Sequence, residues 1–169
     1  DTEQYIQRVD LTELQELEHA LQSFSPIDWV INAAAYTKVD FAETPGGRFK
    51  SLLANVIGPR NLSILALLNG PQIVHIGTAY VFDGRDGMYK ENDEPNPINT
   101  YGRHKLAGER PILNSGGIVL RTDGLYGPNG ENFVDTMIAS IQKRLAEDIH
   151  SIEVVNDQIG SQTYTADLA

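Results

Sequence analysis

Short apolar runs alternate with longer amphipathic stripes along this chain of 169 residues, and that order limits the folds it can adopt. Runs at 29–35, 72–78 and 117–122 have the pattern of strands buried on both faces, and a fourth strand is predicted at 152–155. Helical patterns separate the runs and no hairpin signal joins them, so the strands are predicted to lie parallel. The predicted fold class is therefore α/β, a doubly wound parallel sheet.

Helical stripes fill the intervals between these strands. Residues 5–9 fit a short strand, after which Asp10 or Thr12 is predicted to cap a first helix. A second helix is predicted at 49–68, and Gly58-Pro59 should kink it because proline has no N–H to donate. The other predicted helices span 101–113 and 132–145.

The composition excludes several functional classes. The net charge is −10 and the sequence pI is about 4.7, with no cluster of Lys and Arg, which argues against a nucleic-acid surface. There is no cysteine, and the four histidines lack the spacing of metal ligands, so no metal site is predicted. The chain has the size of one domain, 1–169, with no long apolar run and no signal-like start. We therefore expect a cytoplasmic protein that does not enter a membrane.

Thr78, Tyr101 and Lys105 form the strongest candidate site. Thr78 ends a predicted strand, and ligands of open parallel sheets bind outside the carboxyl ends of the strands. Tyr101 and Lys105 lie four residues apart on a helix that Asn99 or Thr100 is predicted to cap, so they share one face. The ammonium is expected to lower the pKa of the phenol from about 10 towards neutrality. The three side chains are suited to polarise and protonate a carbonyl oxygen while a hydride reaches its carbon.

A glycine-rich stretch offers a second candidate, Gly124-Leu125-Tyr126-Gly127-Pro128-Asn129-Gly130. Its G-x-x-G-x-x-G spacing follows a predicted strand and precedes a predicted helix, as in a phosphate-binding loop. Pro128, however, removes one of the backbone N–H donors that such a loop uses, and two bulky side chains separate the first glycines. We therefore favour a substrate loop and keep the phosphate loop as the alternative.

Five motifs stand in order along nearly the whole chain: Val30–Asp40 with Ala42-Glu43, Thr78–Gly84, Tyr101-Gly102 with Lys105–Glu109, Asn132–Val134, and Asp157–Gly160. In this order they resemble the motifs of the dTDP-4-dehydrorhamnose reductases, which are extended short-chain dehydrogenase/reductases. Several motifs in register are far more specific than a Tyr-x-x-x-Lys spacing alone. The resemblance implies a Rossmann-like NAD(P)-binding fold.

The same resemblance implies roles for individual residues. Thr78, Tyr101 and Lys105 would be catalytic, with Tyr101 as the acid and Lys105 both tuning it and holding the nicotinamide ribose. NADPH or NADH would be the cofactor, bound by Tyr101, Lys105, Asp10, Leu11, Ala33, Ala34, Ala35, Thr37 and Asn55. A nucleotide-linked 6-deoxy sugar would be reduced at its 4-keto group, held by Tyr80, Asn132 and Gln158. A homodimer is a further expectation.

The chain also departs from the pattern of that family. The family's first strand, its phosphate loop and most of its C-terminal substrate lobe have no counterpart in 1–169, which predicts a partial domain and an inactive isolated fragment. Gly77 and Ala79 replace a serine and an aspartate beside Thr78, and Gly124 replaces a tryptophan. Two alternatives stay open: a nucleotide-sugar epimerase, and a non-catalytic regulatory subunit like the β subunit of methionine adenosyltransferase.

Overall fold

The structure, a computed structural model, describes residues 6–68, 70–130 and 132–169. The chain divides into two compact units, the first ending at Arg121 and the second running from Thr122 to Ala169. That residues 1–169 make up one partial NAD(P)-binding domain stays a prediction.

A three-stranded sheet organises the first unit. The strands are β1 (Trp29–Asn32), β2 (Gln72–Thr78) and β3 (Ile118–Thr122), and β2 lies between the other two. β1 and β2 are parallel, with Trp29 opposite Gln72 and Asn32 opposite His75. The three strands confirm the predicted runs, and the parallel α/β class is confirmed with them.

Four helices connect and cover these strands. α1 spans Leu14–Ser23, α2 Pro45–Leu52, α3 Gly58–Leu67 and α4 Thr100–Asn114. Two short 3-10 helices occur at Asp40–Glu43 and Ala79–Val81. The helices pack their apolar stripes on the sheet around a buried cluster, made of Leu17, Leu62, Leu65, Ile73 and Ile112.

The first helix does not begin as predicted. Its first residue is Leu14, and Glu13 occupies the cap position without a side-chain hydrogen bond. Asp10 does not cap the helix, because its carboxylate accepts hydrogen bonds from the backbone N–H of Thr12 (2.9 Å) and the Thr12 hydroxyl (2.8 Å). Asp10 and Thr12 therefore build the turn that precedes the helix.

The interruption predicted at Gly58-Pro59 is a change of helix type. A π-helical segment, Leu53–Ile57, joins α2 to α3. Pro59 has no N–H to donate to the carbonyl of Asn55, four residues earlier, so the regular bonding pattern cannot pass through this point. The π segment presents that carbonyl to α4, where a Cβ on Gly108 would overlap it.

The second unit contains short elements. The parallel strands β4 (Leu125–Tyr126) and β5 (Thr163–Tyr164) pair with each other, and the helices are α5 (Phe133–Ala146) and α6 (Thr165–Leu168). The strand predicted at 152–155 is wrong, because these residues form no ladder and Val154 and Val155 are 56% and 66% exposed. Of the strand predicted at 5–9, residues 6–9 form none and Tyr5 lies outside the described residues.

Candidate active site

Thr78 stands at the carboxyl end of β2, as predicted. The strand ends there, and the Thr78 hydroxyl accepts a hydrogen bond from the backbone N–H of Tyr80 (3.3 Å), which starts the following 3-10 helix. Thr78 is buried, so its side chain is held inside the edge of the sheet.

Two polar side chains fix the start of α4. Asn99 is the N-cap and accepts a hydrogen bond from the Gly102 N–H (2.7 Å), which confirms one of the two predicted caps. The Glu43 carboxylate accepts from both the N–H (2.6 Å) and the hydroxyl (2.8 Å) of Thr100. These hydrogen bonds lower the pKa of Glu43, and its charge is favourable beside the positive end of the helix dipole. The first turn, which carries Tyr101, is thereby held in place.

Tyr101 lies in a buried position against Thr78 and Tyr80. Only 8% of Tyr101 is exposed, and its ring meets the Tyr80 ring edge to face with centroids 5.6 Å apart. Burial raises the pKa of the Tyr101 phenol, while a hydrogen bond with the Thr78 side chain acts in the opposite direction. The phenol is therefore neutral near pH 7 and holds the proton that an acid must donate.

The expected effect of Lys105 on Tyr101 is wrong for this arrangement. Burial is the dominant influence on the phenol, and its pKa is raised instead of lowered. The Lys105 ammonium donates a hydrogen bond to the Ile76 carbonyl (2.6 Å), and the residue as a whole is only 2% exposed. That burial lowers the pKa of Lys105 to about 8, against the opposing influence of Glu109. Thr78 and Tyr101 are thus hydrogen-bonded to each other, and Lys105 lies one turn further along α4 on the carbonyl of Ile76 in β2.

The end of β1 presents small residues to solvent. Asn32 is buried and accepts a hydrogen bond from the Ala34 N–H (3.2 Å), while its amide lies 2.9 Å from Nδ1 of the buried His75. Burial, with the nearby Lys105 charge, lowers the pKa of His75 to about 3. His75 is a neutral core residue, and Ala33, Ala34, Ala35 and Thr37 are exposed beyond it.

An open cavity of about 840 Å³ brings together four of the residues predicted to hold the cofactor, Asp10, Leu11, Ala34 and Ala35. Arg8 and Lys50 also line it, and sequence reasoning missed both cations. Small side chains on one wall leave room for a flat group, and the two cations complement phosphate charge. The residues present therefore fit a dinucleotide. The sequence did offer one indication of a cation at this site, because Arg8 stands only two residues before Asp10.

Asn55, also predicted to contact the cofactor, is fully buried. Its side chain accepts from the Tyr36 N–H (2.9 Å) and donates to the Tyr36 carbonyl (3.0 Å) and the Ser51 hydroxyl (3.1 Å). Tyr36 lines the cavity, so Asn55 holds the backbone of a cavity-lining residue in place without lining the cavity itself.

The other predicted substrate residues lie in different surroundings. Tyr80 is 42% exposed beside Tyr101 and can meet a ligand. Asn132, in the second unit, caps α5 by accepting from the Asp135 N–H (2.9 Å). Gln158, in the same unit, is exposed. Their roles with substrate stay predictions.

The glycine-rich stretch does not form one continuous loop. β4 occupies its middle, and the backbone at Gly124 has a φ of 49°, a value that favours glycine. A Cβ on Gly124 would also lie 2.5 Å from the Gln162 side chain. Interruption by a strand argues against a phosphate-binding loop and leaves the substrate loop as our interpretation.

Within the described ranges 6–68, 70–130 and 132–169, no group of three or more His, Cys, Asp or Glu side chains is arranged to hold a metal ion. Across the same ranges, no helix is both long enough and apolar enough to span a bilayer.

A parallel sheet with a buried Thr–Tyr–Lys cluster at its carboxyl edge defines a Rossmann-like α/β protein. The RmlD substrate binding domain family matches residues 2–169, and the chain belongs to that family.

Named relatives agree with this assignment. The chain is 41% identical over 164 residues to a dTDP-4-dehydrorhamnose reductase of Aggregatibacter actinomycetemcomitans, covering 95% of the chain and 53% of the relative. It is 44% identical over 146 residues to a reductase of the same name from Mycolicibacterium smegmatis, covering 83% of the chain and 42% of the relative.

A solved structure shows the same fold. The crystal structure of dTDP-4-dehydrorhamnose reductase from Bacillus anthracis in complex with NADP superposes with a TM-score of 0.82 at 42% identity, covering 95% of this chain and 55% of that one. The chain thus spans about half the length of the relatives it matches.

Proposed function

We propose that the protein is an NAD(P)H-dependent reductase that reduces the 4-keto group of a nucleotide-linked 6-deoxy sugar, of the dTDP-4-dehydrorhamnose to dTDP-rhamnose type, in sugar-nucleotide biosynthesis. The observation that carries the proposal is the buried cluster of Thr78, Tyr101 and Lys105 at the end of β2. Its place in a family whose relatives bear the name dTDP-4-dehydrorhamnose reductase supports the choice of substrate.

Each residue of the cluster has a separate task. Tyr101, a neutral phenol, donates its proton to the carbonyl oxygen of the sugar, and Thr78 stabilises the phenolate that remains through their hydrogen bond. Lys105 adds positive charge near that oxygen while its ammonium stays anchored on the Ile76 carbonyl. The nicotinamide cofactor, when bound, supplies the hydride that reaches the carbonyl carbon.

The open cavity would hold the cofactor. Asp10 and Leu11 line one part of it and Ala34 and Ala35 another, all within the first unit. NADPH and NADH share the dinucleotide that this cavity would accept, and the complex of the Bacillus anthracis enzyme with NADP favours NADPH.

The test is reduction of dTDP-4-dehydrorhamnose by the purified full-length protein, followed through the absorbance of NADPH. Tyr101→Phe should lower the rate by about 10²- to 10⁴-fold, the range for loss of a general acid. Tyr89→Phe is the matched control, because it removes one phenol hydroxyl that bonds to Asp83 in a loop outside the cluster.

Absence of NADPH oxidation with this substrate would overturn the reductase proposal. Epimerisation of a nucleotide sugar with no net oxidation would favour the epimerase alternative. Equal rates for Tyr101→Phe and the unchanged protein would remove Tyr101 from its proposed role.

We further propose that the protein acts in the cytoplasm as a homodimer. Phe41 on a 3-10 helix and Phe49 on the adjacent α2 are 50% and 61% exposed, and exposed apolar side chains of this size suit an interface between copies. Light scattering on the eluting protein would contradict the dimer if it gave the mass of a monomer, and cell fractionation tests the compartment.

A further inference from the structure

A buried carboxylate lies one helical turn beyond Lys105. Glu109 follows Lys105 by four residues on α4, so both side chains share one face of the helix. Glu109 has no exposed surface, and its Oε2 accepts from Arg121 Nη2 (2.9 Å) and Nε (3.1 Å). Among the described residues, its Oε1 has no hydrogen-bond partner. One oxygen of the carboxylate is therefore committed to Arg121 and the other is not.

Glu109 and Lys105 approach the same peptide unit of β2. The Lys105 ammonium donates to the carbonyl of Ile76 (2.6 Å), and the next residue is Gly77. A Cβ added to Gly77 would lie 2.6 Å from Oε1 of Glu109 and 2.9 Å from Cγ1 of Val119. The carboxylate can reach the strand beside Lys105 because residue 77 has no side chain.

The charged and titratable groups around Lys105 and Glu109 come from two strands and from α4. His75 faces Lys105 from β2 and is kept neutral, and Tyr101 on α4 is a neutral phenol. Arg121 on β3 is paired with Oε2 of Glu109. Burial disfavours the ammonium, and the attraction of Glu109 opposes that effect. In this described set, Glu109 is the carboxylate that acts on Lys105.

We propose that Glu109, whose Oε2 is paired with Arg121 and whose Oε1 lies against Gly77, is the counter-ion that keeps the buried Lys105 charged. Glu109 is a positioning residue, since it acts through Lys105 and not on the substrate. Its part in catalysis rests on the proposed reductase function, whereas its effect on the charge of Lys105 does not.

The deciding measurement is the titration of Lys105 itself. NMR of protein labelled at lysine Cε follows the five lysines, and Lys105→Arg identifies the resonance of Lys105. In Glu109→Gln the midpoint should fall by roughly one pH unit or more, whereas Glu109→Asp should restore part of the loss. Glu18→Gln, on the exposed face of α1, is the matched control and should leave the midpoint unchanged.

A second variant is expected to shift the midpoint of Lys105 in the opposite direction. It keeps the proposal testable if Glu109→Gln does not fold. Arg121→Met keeps the carboxylate and removes its strong partner, so the midpoint of Lys105 should rise. Gly77→Ala places a methyl group against Oε1 and should move the midpoint down. A midpoint that stays fixed in folded Glu109→Gln, or fails to rise in Arg121→Met, would overturn the proposal.

Activity gives an independent readout. The alkaline limb of the pH–rate profile should move to lower pH in Glu109→Gln, and for each pH unit that it moves the rate at a fixed alkaline pH should fall about tenfold. An alkaline limb that stays in place while the midpoint of Lys105 falls would overturn the part of the proposal that concerns catalysis. If the unchanged protein reduces no sugar, the reductase proposal fails and the NMR titration still decides the role of Glu109.

Discussion

Burial changes the proton affinity of the central side chains in one consistent way, by penalising their charged forms. Tyr101 holds its proton more tightly than a free phenol, and Lys105 and His75 hold theirs less tightly than free side chains. A phenol that keeps its proton can act as a general acid, and an uncharged His75 can be buried in the core at a lower cost than a charged one. At the scale of the residue, pH therefore acts on stability as well as on the proposed reaction.

Replacing His75 should change the acid sensitivity of folding. Its pKa is about 3 in the folded protein and 6.5 ordinarily, so between these values the unfolded chain binds more protons and stability rises with pH. His75→Gln should flatten that part of the curve of unfolding free energy against pH, measured by urea denaturation. The exposed His19→Gln on α1 is the control and should keep the slope of the unchanged protein. A slope unaltered by His75→Gln would contradict this explanation.

Lys105 should act in the alkaline range by the same logic. Its folded pKa of about 8 lies below the ordinary 10.5, so stability should increase between these two pH values as the unfolded chain retains its proton. Lys105→Met should remove that increase in thermal or urea unfolding. Lys143→Met, on the surface helix α5, is a control that should preserve it.

At the scale of the element, α4 is positioned by contacts at its beginning and along one side. Asn99 and Glu43 satisfy the first turn, and the close approach of Gly108 to the Asn55 carbonyl sets the distance to the π segment. Because Tyr101 and Lys105 both belong to α4, a shift of this helix displaces the site as a whole.

Removing the cap of α4 should destabilise the protein measurably. Asn99→Ala leaves the Gly102 N–H without its acceptor and should cost about 0.5–2 kcal/mol in the free energy of unfolding. Asn114→Ala, at the exposed last position of the same helix, should have a much smaller effect. Equal losses in the two variants would show that the cap does not stabilise α4.

Two glycines in helices should respond oppositely to alanine. In Gly108→Ala the new Cβ meets the Asn55 carbonyl, so the variant should lose stability and activity together. Gly46 has nothing within 4 Å of an added Cβ, and Gly46→Ala should stabilise α2 by about 0.5–1 kcal/mol. Thermal unfolding of both variants makes the comparison, and stabilisation by Gly108→Ala would contradict the close packing described.

Helices and strands with a strong local sequence pattern could be predicted from the sequence. Short strands that form only because another segment pairs with them could not. β2 and the cap at Asn99 follow from an apolar run and a cap residue, and both agree with the sequence. β4 and β5 are two residues each, too short for any periodicity. The run at 152–155 has β-forming residues but pairs with no strand of the described residues, and a strand requires a partner.

The site shows the same division. The spacing of Tyr101 and Lys105 and the apolar run that ends at Thr78 were enough to predict their places on α4 and at the end of β2. The raised pKa of Tyr101 was not predictable, because it depends on burial that only the packed structure supplies. Arg8, Lys50 and the pairing of Glu109 with Arg121 depend on contacts between segments distant in sequence.

At the scale of the whole molecule, ligand binding should appear as stability. If the cavity takes the dinucleotide, NADPH at about 100 times its dissociation constant should add about 2.7 kcal/mol to the free energy of unfolding. Arg8→Ala should weaken that effect by removing a cation from the cavity wall. Arg85→Ala, whose side chain is 82% exposed elsewhere, is the control. Calorimetric titration that finds equal affinity in both variants would remove Arg8 from the site.

The Glu43 carboxylate has a mechanical consequence. Glu43 belongs to the short helix that follows the exposed alanines and Thr37. Its carboxylate accepts two hydrogen bonds from Thr100, 57 residues further along the chain. These hydrogen bonds therefore connect the stretch that borders the cavity to α4, the helix that carries Tyr101. A displacement of either segment is therefore transmitted to the other, which couples the position of the cavity wall to that of Tyr101.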